Sequence, residues 1–253
     1  MAKIYFVIAS YYGGQRLERI LNHIRSLPLG DFTILINEQC GEKRPVLGVP
    51  LLYNALHKAA LHDPNCQYIW QLGDDIEPLP NCIIQCQEEI EKDKTIGVLF
   101  PLEAWTEKGI VSGLDHTNNT FKPIEDLVTS GQSHVEYHFP WLTCAAMRRD
   151  TLESVGPLDE SLGRGYCEDL DWGVRCWQAG WRVVLYRRTY YLHARGATYN
   201  QLQQEGKFDP QEPYEAAERV KKKWPFLWRE TDEWIINHCR EMREAWLIKS
   251  SQF

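Results

Sequence analysis

The chain has 253 residues, 43% of them hydrophobic, enough for one large α/β domain with a full core. Its formal charge of -7, from 28 Lys and Arg against 35 Asp and Glu, argues against a polyanion-binding surface and so against nucleic acid as a partner. No stretch reaches the roughly 18 consecutive apolar residues of a membrane-spanning helix, and eight cysteines without Cys-x-x-Cys spacing read as reduced thiols of a cytoplasmic protein.

The N-terminal MAKIYFVIAS has one basic residue before a short apolar run, and Ser10, Tyr11, Tyr12 and two glycines follow at once. This is the pattern of a first core strand, Lys3 to Ser10, rather than of a signal peptide. Leu17, Ile20, Leu21 and Ile24 then keep helical spacing until Pro28, and Phe32 to Asn37 is a second apolar strand. Strand, helix, strand at this spacing opens a doubly wound sheet, in which ligands bind at the carboxyl ends of the strands.

Leu51 to Leu61 predicts another helix, and Tyr68 to Leu72 a strand that runs straight into Gly73, Asp74, Asp75, Ile76, Glu77 and Pro78. Three acids directly after a core strand place carboxylates at the binding edge of the sheet. A helix over Ile83 to Ile90 and a strand over Ile96 to Phe100 follow. From Leu102 to Ser133 the pattern weakens into loops and short strands, the usual home of substrate specificity. Phe139 to Met147 is apolar again, and a helix starts at Arg148, Arg149 and Asp150.

The stretch from Gly156 to Ala197 combines five carboxylates, glycines at 163 and 165, an amphipathic helix, an apolar strand over Val183 to Tyr186, and His193 beyond it. Glu168, Asp169 and Asp171 fall where the period Leu170, Val174, Trp177 and Trp181 begins. They therefore sit in the first turn of a helix, where the macrodipole favours negative charge. Three acids in four positions exceed what a cap requires. Beyond Ala197, Tyr214 to Trp224 and Thr231 to Leu247 read as helices separated by Pro225.

The run Gly156, Leu158, Asp159, Glu160, Tyr166, Glu168, Asp169, Asp171, Trp172, Arg175, Ala179, Gly180, Trp181 and His193 resembles the C-terminal half of the catalytic domain of family 2 glycosyltransferases, especially rhamnosyltransferase-like members. Leu158 replaces the usual Phe, and Cys167 stands directly before the acidic pair. Asp74 and Asp75 resemble the family's Asp-x-Asp signature, with Gly73 in its first place. The likeness covers about residues 3 to 198.

The resemblance implies a GT-A-type nucleotide-diphospho-sugar transferase fold, a mostly parallel central sheet flanked by helices with a C-terminal helical tail. It divides the chain into a catalytic domain over 1–200, with a nucleotide-binding half (1–101) and an acceptor half (102–200), and a helical extension over 201–253. The activity it implies is inverting transfer of a sugar from a nucleoside-diphosphate donor to a saccharide or other hydroxyl acceptor, with Mn2+ or Mg2+. Asp75 and His193 would bind the metal, and Asp74 would face the ribose or the sugar. Asp169, with Glu168 as the alternative, would be the base that deprotonates the acceptor. Ser10, Tyr11, Tyr12, Asn37 and Glu38 occupy positions where relatives grip base and ribose, and Arg16, Arg164 and Arg195 could each meet phosphate.

Two other readings of the same residues are a non-catalytic module that binds nucleotide sugars or glycans, and a metal-dependent nucleotidyltransferase or pyrophosphatase. No Walker-type loop or Gly-x-Gly-x-x-Gly supports the latter. His134 and His138 lack the His-Glu-x-x-His order of zinc proteases, and the spacing of His57, His62, Cys66, Cys82 and Cys86 does not suit a zinc site.

Overall fold

In the computed structural model, the apolar run at the N-terminus is β1 (Lys3–Ser10), buried along almost its whole length. Every residue is described except 1–2, 12, 39–46, 108–109, 116–119, 195–196, 208 and 252–253, together with the side chains at 107, 115 and 197–199. Tyr12, Cys40 and Arg195 therefore lie outside the described residues. The chain continues through α1 (Gly14–Ser26), β2 (Phe32–Glu38), α2 (Val49–Leu61), β3 (Cys66–Gly73), β4 (Ile76–Pro78), α3 (Cys82–Lys92) and β5 (Ile96–Glu107). An excursion of β6 (Ile110–Asp115), β7 (Thr120–Pro123) and α4 (Ile124–Thr129) leads to β8 (His134–Glu136), β9 (Cys144–Arg148) and α5 (Arg149–Val155). Then come α6 (Glu168–Gln178), β10 (Arg182–His193), α7 (Ala197–Gln204), α8 (Glu212–Lys223) and α9 (Asp232–Ser250).

The strands form one sheet in the order β2-β1-β3-β9-β5-β10-β4. β1 pairs parallel with β2 and β3, and β5 pairs parallel with β10. β9 is antiparallel to both β3 and β5, so the two parallel groups point the same way. The result is a mixed α/β fold around a mostly parallel sheet. Alternation along β1 explains why helices cover both faces. Tyr5 and Val7 join a core with Leu56, Trp172 and Trp177 on one side, while Ile4, Phe6 and Ile8 meet Leu17, Ile20, Trp70 and Ile83 on the other.

Two strands are longer than their apolar runs. β5 extends past Phe100 to Glu107: Leu102 to Ala104 pair with β10 and stay buried, and Ala104 to Glu107 pair with β6. β10 continues past Tyr186, with a register shift against β5 between Tyr186 and Tyr190, so that His193 is its last residue rather than a loop residue beyond it. The interruption that hides this extension is Arg187 and Arg188. Their guanidinium groups donate to carbonyls of Leu127 at 3.4 Å and Val128 at 2.9 Å, at the C-terminal end of α4 where cations are favoured.

The tail packs on α6. Ile235 and Cys239 of α9 are buried in the core shared with Trp172 and Trp177. Among the described residues no helix is long and apolar enough to cross a membrane.

Candidate active site

β3 ends at Gly73, and the next two residues, Asp74 and Asp75, turn the chain into β4 at the carboxyl edge of the sheet. The turn is tight. A Cβ at Gly73 would stand 3.0 Å from Asp75 Oδ1 and 3.1 Å from Thr143 Cγ2, so the glycine in the first place of the acidic motif gives the Asp75 carboxylate room to fold back. Asp74 is buried, and burial raises its carboxyl above the usual range although a hydrogen bond from Ser10 works against this.

Ser10 Oγ donates to Asp74 Oδ2 at 2.5 Å and accepts from the Gly13 amide at 2.9 Å. Ser10 is fully buried and does not line the cleft described next; it stands behind Asp74 and fixes it. Asn37 and Glu38, at the end of the edge strand β2, do not line that cleft, although Asn37 pairs with Ala9, which does.

A cleft of about 400 Å³ opens at this edge of the sheet. Tyr11, Asp74, Asp75, Glu168, Asp169 and His193 all line it, although they come from the ends of β1, β3, β10 and α6. One part of the wall is apolar, built from Val49, Leu52, Tyr53 and Leu142. Tyr53 is held in place by donating its hydroxyl to the Leu72 carbonyl at 2.8 Å. The glycine-rich turn before α6 closes against the start of α2. A Cβ at Gly48 would lie 2.2 Å from the Gly163 carbonyl oxygen, so only glycine permits that approach.

Helical geometry separates the three acids of α6. Glu168 and Asp169 face the cleft, whereas Asp171, two residues on, is fully buried. Asp171 accepts from Arg175 Nε at 2.8 Å and Trp224 Nε1 at 2.9 Å, and pairs with Lys223 Nζ at 2.6 Å. It clasps the tail to the helix. Cys167, at the helix N-cap, takes φ 62°, and among the described residues it is the one non-glycine with positive φ. Its substitution thus bears on backbone conformation as well as packing.

Burial raises both acids of the pair, Glu168 further than Asp169 because the neighbouring Asp169 charge adds to its desolvation. For Asp169, amide hydrogen bonds including that from Leu170 at 2.8 Å pull in the opposite direction. The pair is therefore readily protonated near neutral pH, unlike an exposed carboxylate.

His193 lies between two carboxylates. Its Nε2 is 3.4 Å from Asp75 Oδ2 and its Nδ1 is 3.3 Å from Glu103 Oε1. Burial alone would lower the imidazole, but Asp75 and Glu103 outweigh it and raise it to about 9. Glu103 is buried and also accepts from Tyr191 Oη at 3.1 Å. It was not anticipated from sequence. The available signal was a single carboxylate in the run Ile96 to Ala104, where burial without a partner is costly.

Among the described residues no group of three His, Cys, Asp or Glu side chains is arranged to hold a metal ion. Asp75 and His193 nevertheless offer a carboxylate oxygen and an imidazole nitrogen side by side on the cleft wall, with Glu103 positioned to orient the ring from behind. That donor set fits a divalent ion that draws its remaining ligands from a substrate's phosphates and from water. Of the arginines considered for phosphate, Arg164 lines the cleft but pairs with Glu212 at 3.3 Å and donates to the Lys207 carbonyl. Arg16 lines a neighbouring cleft.

No protein-family model matches the sequence, and neither does any curated protein. Among solved structures, a crystal structure of GalNAc-T7 with UDP, GalNAc and Mn2+ is similar over 76% of this chain and 44% of that one, at 13% identity and a TM-score of 0.47. The chain thus spans less than half the length of that protein. A crystal structure of A197 from STIV is similar over 76% of this chain and 85% of that one, at 14% identity and a TM-score of 0.47.

Proposed function

We propose that the chain is a metal-dependent, inverting glycosyltransferase that moves a sugar from a nucleoside-diphosphate donor to a hydroxyl acceptor, probed most directly with saccharides. The observation that carries this reading is the meeting, in one cleft at the carboxyl edge of the sheet, of Asp74 and Asp75 from the turn after β3, His193 from β10, and Glu168 and Asp169 from α6. The apolar wall of Val49, Leu52 and Tyr53 beside Tyr11 suits a base and ribose.

Asp75 and His193 would hold the divalent ion, and Glu103 fixes the ring of His193. A bound ion there supplies Lewis-acid stabilisation of the charge that grows on the departing diphosphate. Asp169 takes the proton of the acceptor hydroxyl as it attacks the anomeric carbon, and Glu168 keeps a second carboxylate beside it. The raised affinity of this pair for protons is what a general base working near neutral pH requires. Attack from the face opposite the leaving group inverts the anomeric configuration.

The test is product analysis with UDP-, GDP-, dTDP- and CDP-sugars, Mn2+ and a panel of glycoside acceptors. The expected products are a free nucleoside diphosphate and a glycoside of inverted configuration by proton NMR. Retained configuration contradicts the direct displacement. Release of pyrophosphate or of a nucleoside monophosphate contradicts glycosyl transfer itself and favours chemistry on the nucleotide.

A further inference from the structure

β2 is the last strand at one end of the sheet, and β1 is its one neighbour among the described strands. The Ile4 amide donates to the Asp31 carbonyl at 3.2 Å, and the parallel register then turns the main-chain groups of Thr33, Leu35 and Asn37 towards β1. Those of Phe32, Ile34 and Ile36 point away from the sheet. Among the described residues none hydrogen-bonds to them. Outer strands are normally blunted by shortness, lysine or proline. β4 and β8 obey this with three residues each, and β7 with four that include Lys122 and Pro123. β2 has seven residues, and Phe32 to Asn37 holds neither charge nor proline. An edge of this length and composition is a template for another strand.

The flanking helices define which strand it suits. Ile34 packs towards α1 on one face of the sheet, and Leu35 towards α2 on the other. Arg16 of α1 lines a cleft with Asp75, Ile76 and Glu77, and His23 lies near Cys82 and Glu77, so that flank of the helix faces the middle of the sheet. The opposite flank, beside the β2 edge, carries Glu18 and Arg25, two turns apart. Both are exposed, and among the described residues neither has an ion-pair partner. On the other face, Asn54 fastens one flank of α2 to Leu158 and Glu160. The side of α2 turned towards β2 shows Leu51, Ala55 and Ala59, exposed and uncharged.

α1 and β2 run antiparallel and are each about 20 Å long, so their middles lie close to one level. A two-fold axis through Ile34, perpendicular to the sheet, sets β2 antiparallel to its own copy. Phe32 then stands opposite Ile36, and Asp31 opposite Asn37, with no like charges face to face. The same axis sets α1 antiparallel to its copy and brings Glu18 of each towards Arg25 of the other.

We propose that the chain forms a two-fold dimer in which β2 pairs antiparallel with β2 of a second copy, joining the two sheets into one. Two Glu18–Arg25 pairs flank the joint on one face, and the apolar side of α2 meets its counterpart on the other. This interface stands independently of the glycosyl-transfer reading.

Sedimentation velocity of the whole chain over a range of concentrations tests this, and the expected species has twice the 29.6 kDa chain mass. Ile36→Pro removes one outward N–H, spares the bonds of Leu35 and Asn37 to β1, and changes a side chain that is 41% exposed. It should give a monomer with unaltered far-UV circular dichroism. Glu18→Arg should weaken the dimer about tenfold or more by setting like charges together, and adding Arg25→Glu should restore it, a rescue that a folding defect does not produce. A chain that stays monomeric at every concentration overturns the proposal. So does a dimer that Ile36→Pro leaves intact, which places the interface elsewhere. A charge reversal at Glu18 that Arg25→Glu fails to rescue contradicts the two-fold arrangement.

Discussion

His193 Nε2 lies 3.4 Å from Asp75 Oδ2, and the Ala194 amide donates to the Asp75 carbonyl at 3.0 Å, so the end of β10 is fastened by both side chain and backbone to the turn that follows β3. Removing the charge at this junction should separate metal-dependent from metal-independent ligand binding. Asp75→Asn is expected to lower nucleoside-diphosphate affinity in Mn2+ by tenfold or more, on the order of one metal-ligand interaction, and to leave the weaker affinity in chelator unchanged. Titration of both proteins with and without EDTA measures this; an equal loss in both conditions assigns Asp75 to the nucleotide rather than to the ion.

Glu103 does not line the cleft, but its carboxylate is 3.3 Å from Nδ1 of His193, which does. Glu103→Gln should weaken Mn2+-dependent nucleotide binding by about 10-fold to 100-fold, as for other groups that orient a metal-binding histidine. A positioning role also predicts that the pH at which Mn2+ binding is half-maximal shifts, because His193 must lose its proton to bind the ion and Glu103 helps to hold that proton. With Glu103 neutralised, that pH should fall. An unchanged pH profile would leave Glu103 a purely structural residue.

Asp169→Asn should cut transfer by about a hundredfold to ten-thousandfold, the usual contribution of a general base, with donor affinity nearly intact. Steady-state rates alongside donor titration check the split. Full turnover in Asp169→Asn would remove Asp169 from the role of base, and the same loss in Glu168→Gln instead would transfer the role.

The pair also sets a pH dependence of stability. Glu168 has a folded value of about 8 against an ordinary 4.5, so the folded chain binds its proton more tightly than the unfolded chain does. Stability therefore falls as pH rises from about 4.5 towards 8, because an ionised Glu168 beside Asp169 must be kept out of water. Glu168→Gln should raise Tm relative to the parent at pH 8 and change it little at pH 4. A difference that is equal at both pH values would show that Glu168 does not titrate in this range. For transfer the sign is opposite: the base must be ionised, so the rate should climb with pH through the neutral range.

Asp171 is the third acid of the α6 cluster, yet its contacts are with Arg175, Trp224 and Lys223 rather than with the cleft. Asp171→Ala should cost about 2 kcal/mol or more through the donors it leaves unpaired, a fall of roughly 4–8 °C in Tm for a chain of this size. Limited proteolysis should then cut first between α8 and α9. Unaltered Tm would mean that the clasp contributes nothing to docking of the tail.

How much of this was legible in the sequence follows from how local each signal is. β1 and β3 stand out as continuous apolar runs because both faces are covered, and α6 stands out by the period of Leu170, Val174 and Trp177. Asp74, Asp75, Glu168, Asp169 and His193 were named from motif and position, and the fold brings them to one cleft. The far half of β10 was not legible, since Arg187 and Arg188 break the apolar run and their partners in α4 lie far away along the chain. Neither was Glu103, whose neighbours Tyr191 and His193 belong to another strand. Ser10, named for its place at the end of β1, is buried behind Asp74 and bonds to it, a placement that no local pattern carries. The acids of α6 look alike in sequence; what separates Asp171 from Glu168 and Asp169 is a tail that begins far along the chain, its bond from Trp224 spanning 53 residues.

The most direct test of the central claim is thermal stability of the chain against UDP, GDP, dTDP and CDP, each with Mn2+, Mg2+ or chelator. A nucleoside diphosphate at a hundred times its dissociation constant should add about 2.7 kcal/mol to the native state, a rise of several degrees in Tm, and chelator should remove most of that rise. The account predicts this outcome for at least one of the four and its loss in Asp75→Asn. If no nucleoside diphosphate shifts Tm with either metal, the cleft of Asp75, His193 and Asp169 is not a nucleotide-sugar site.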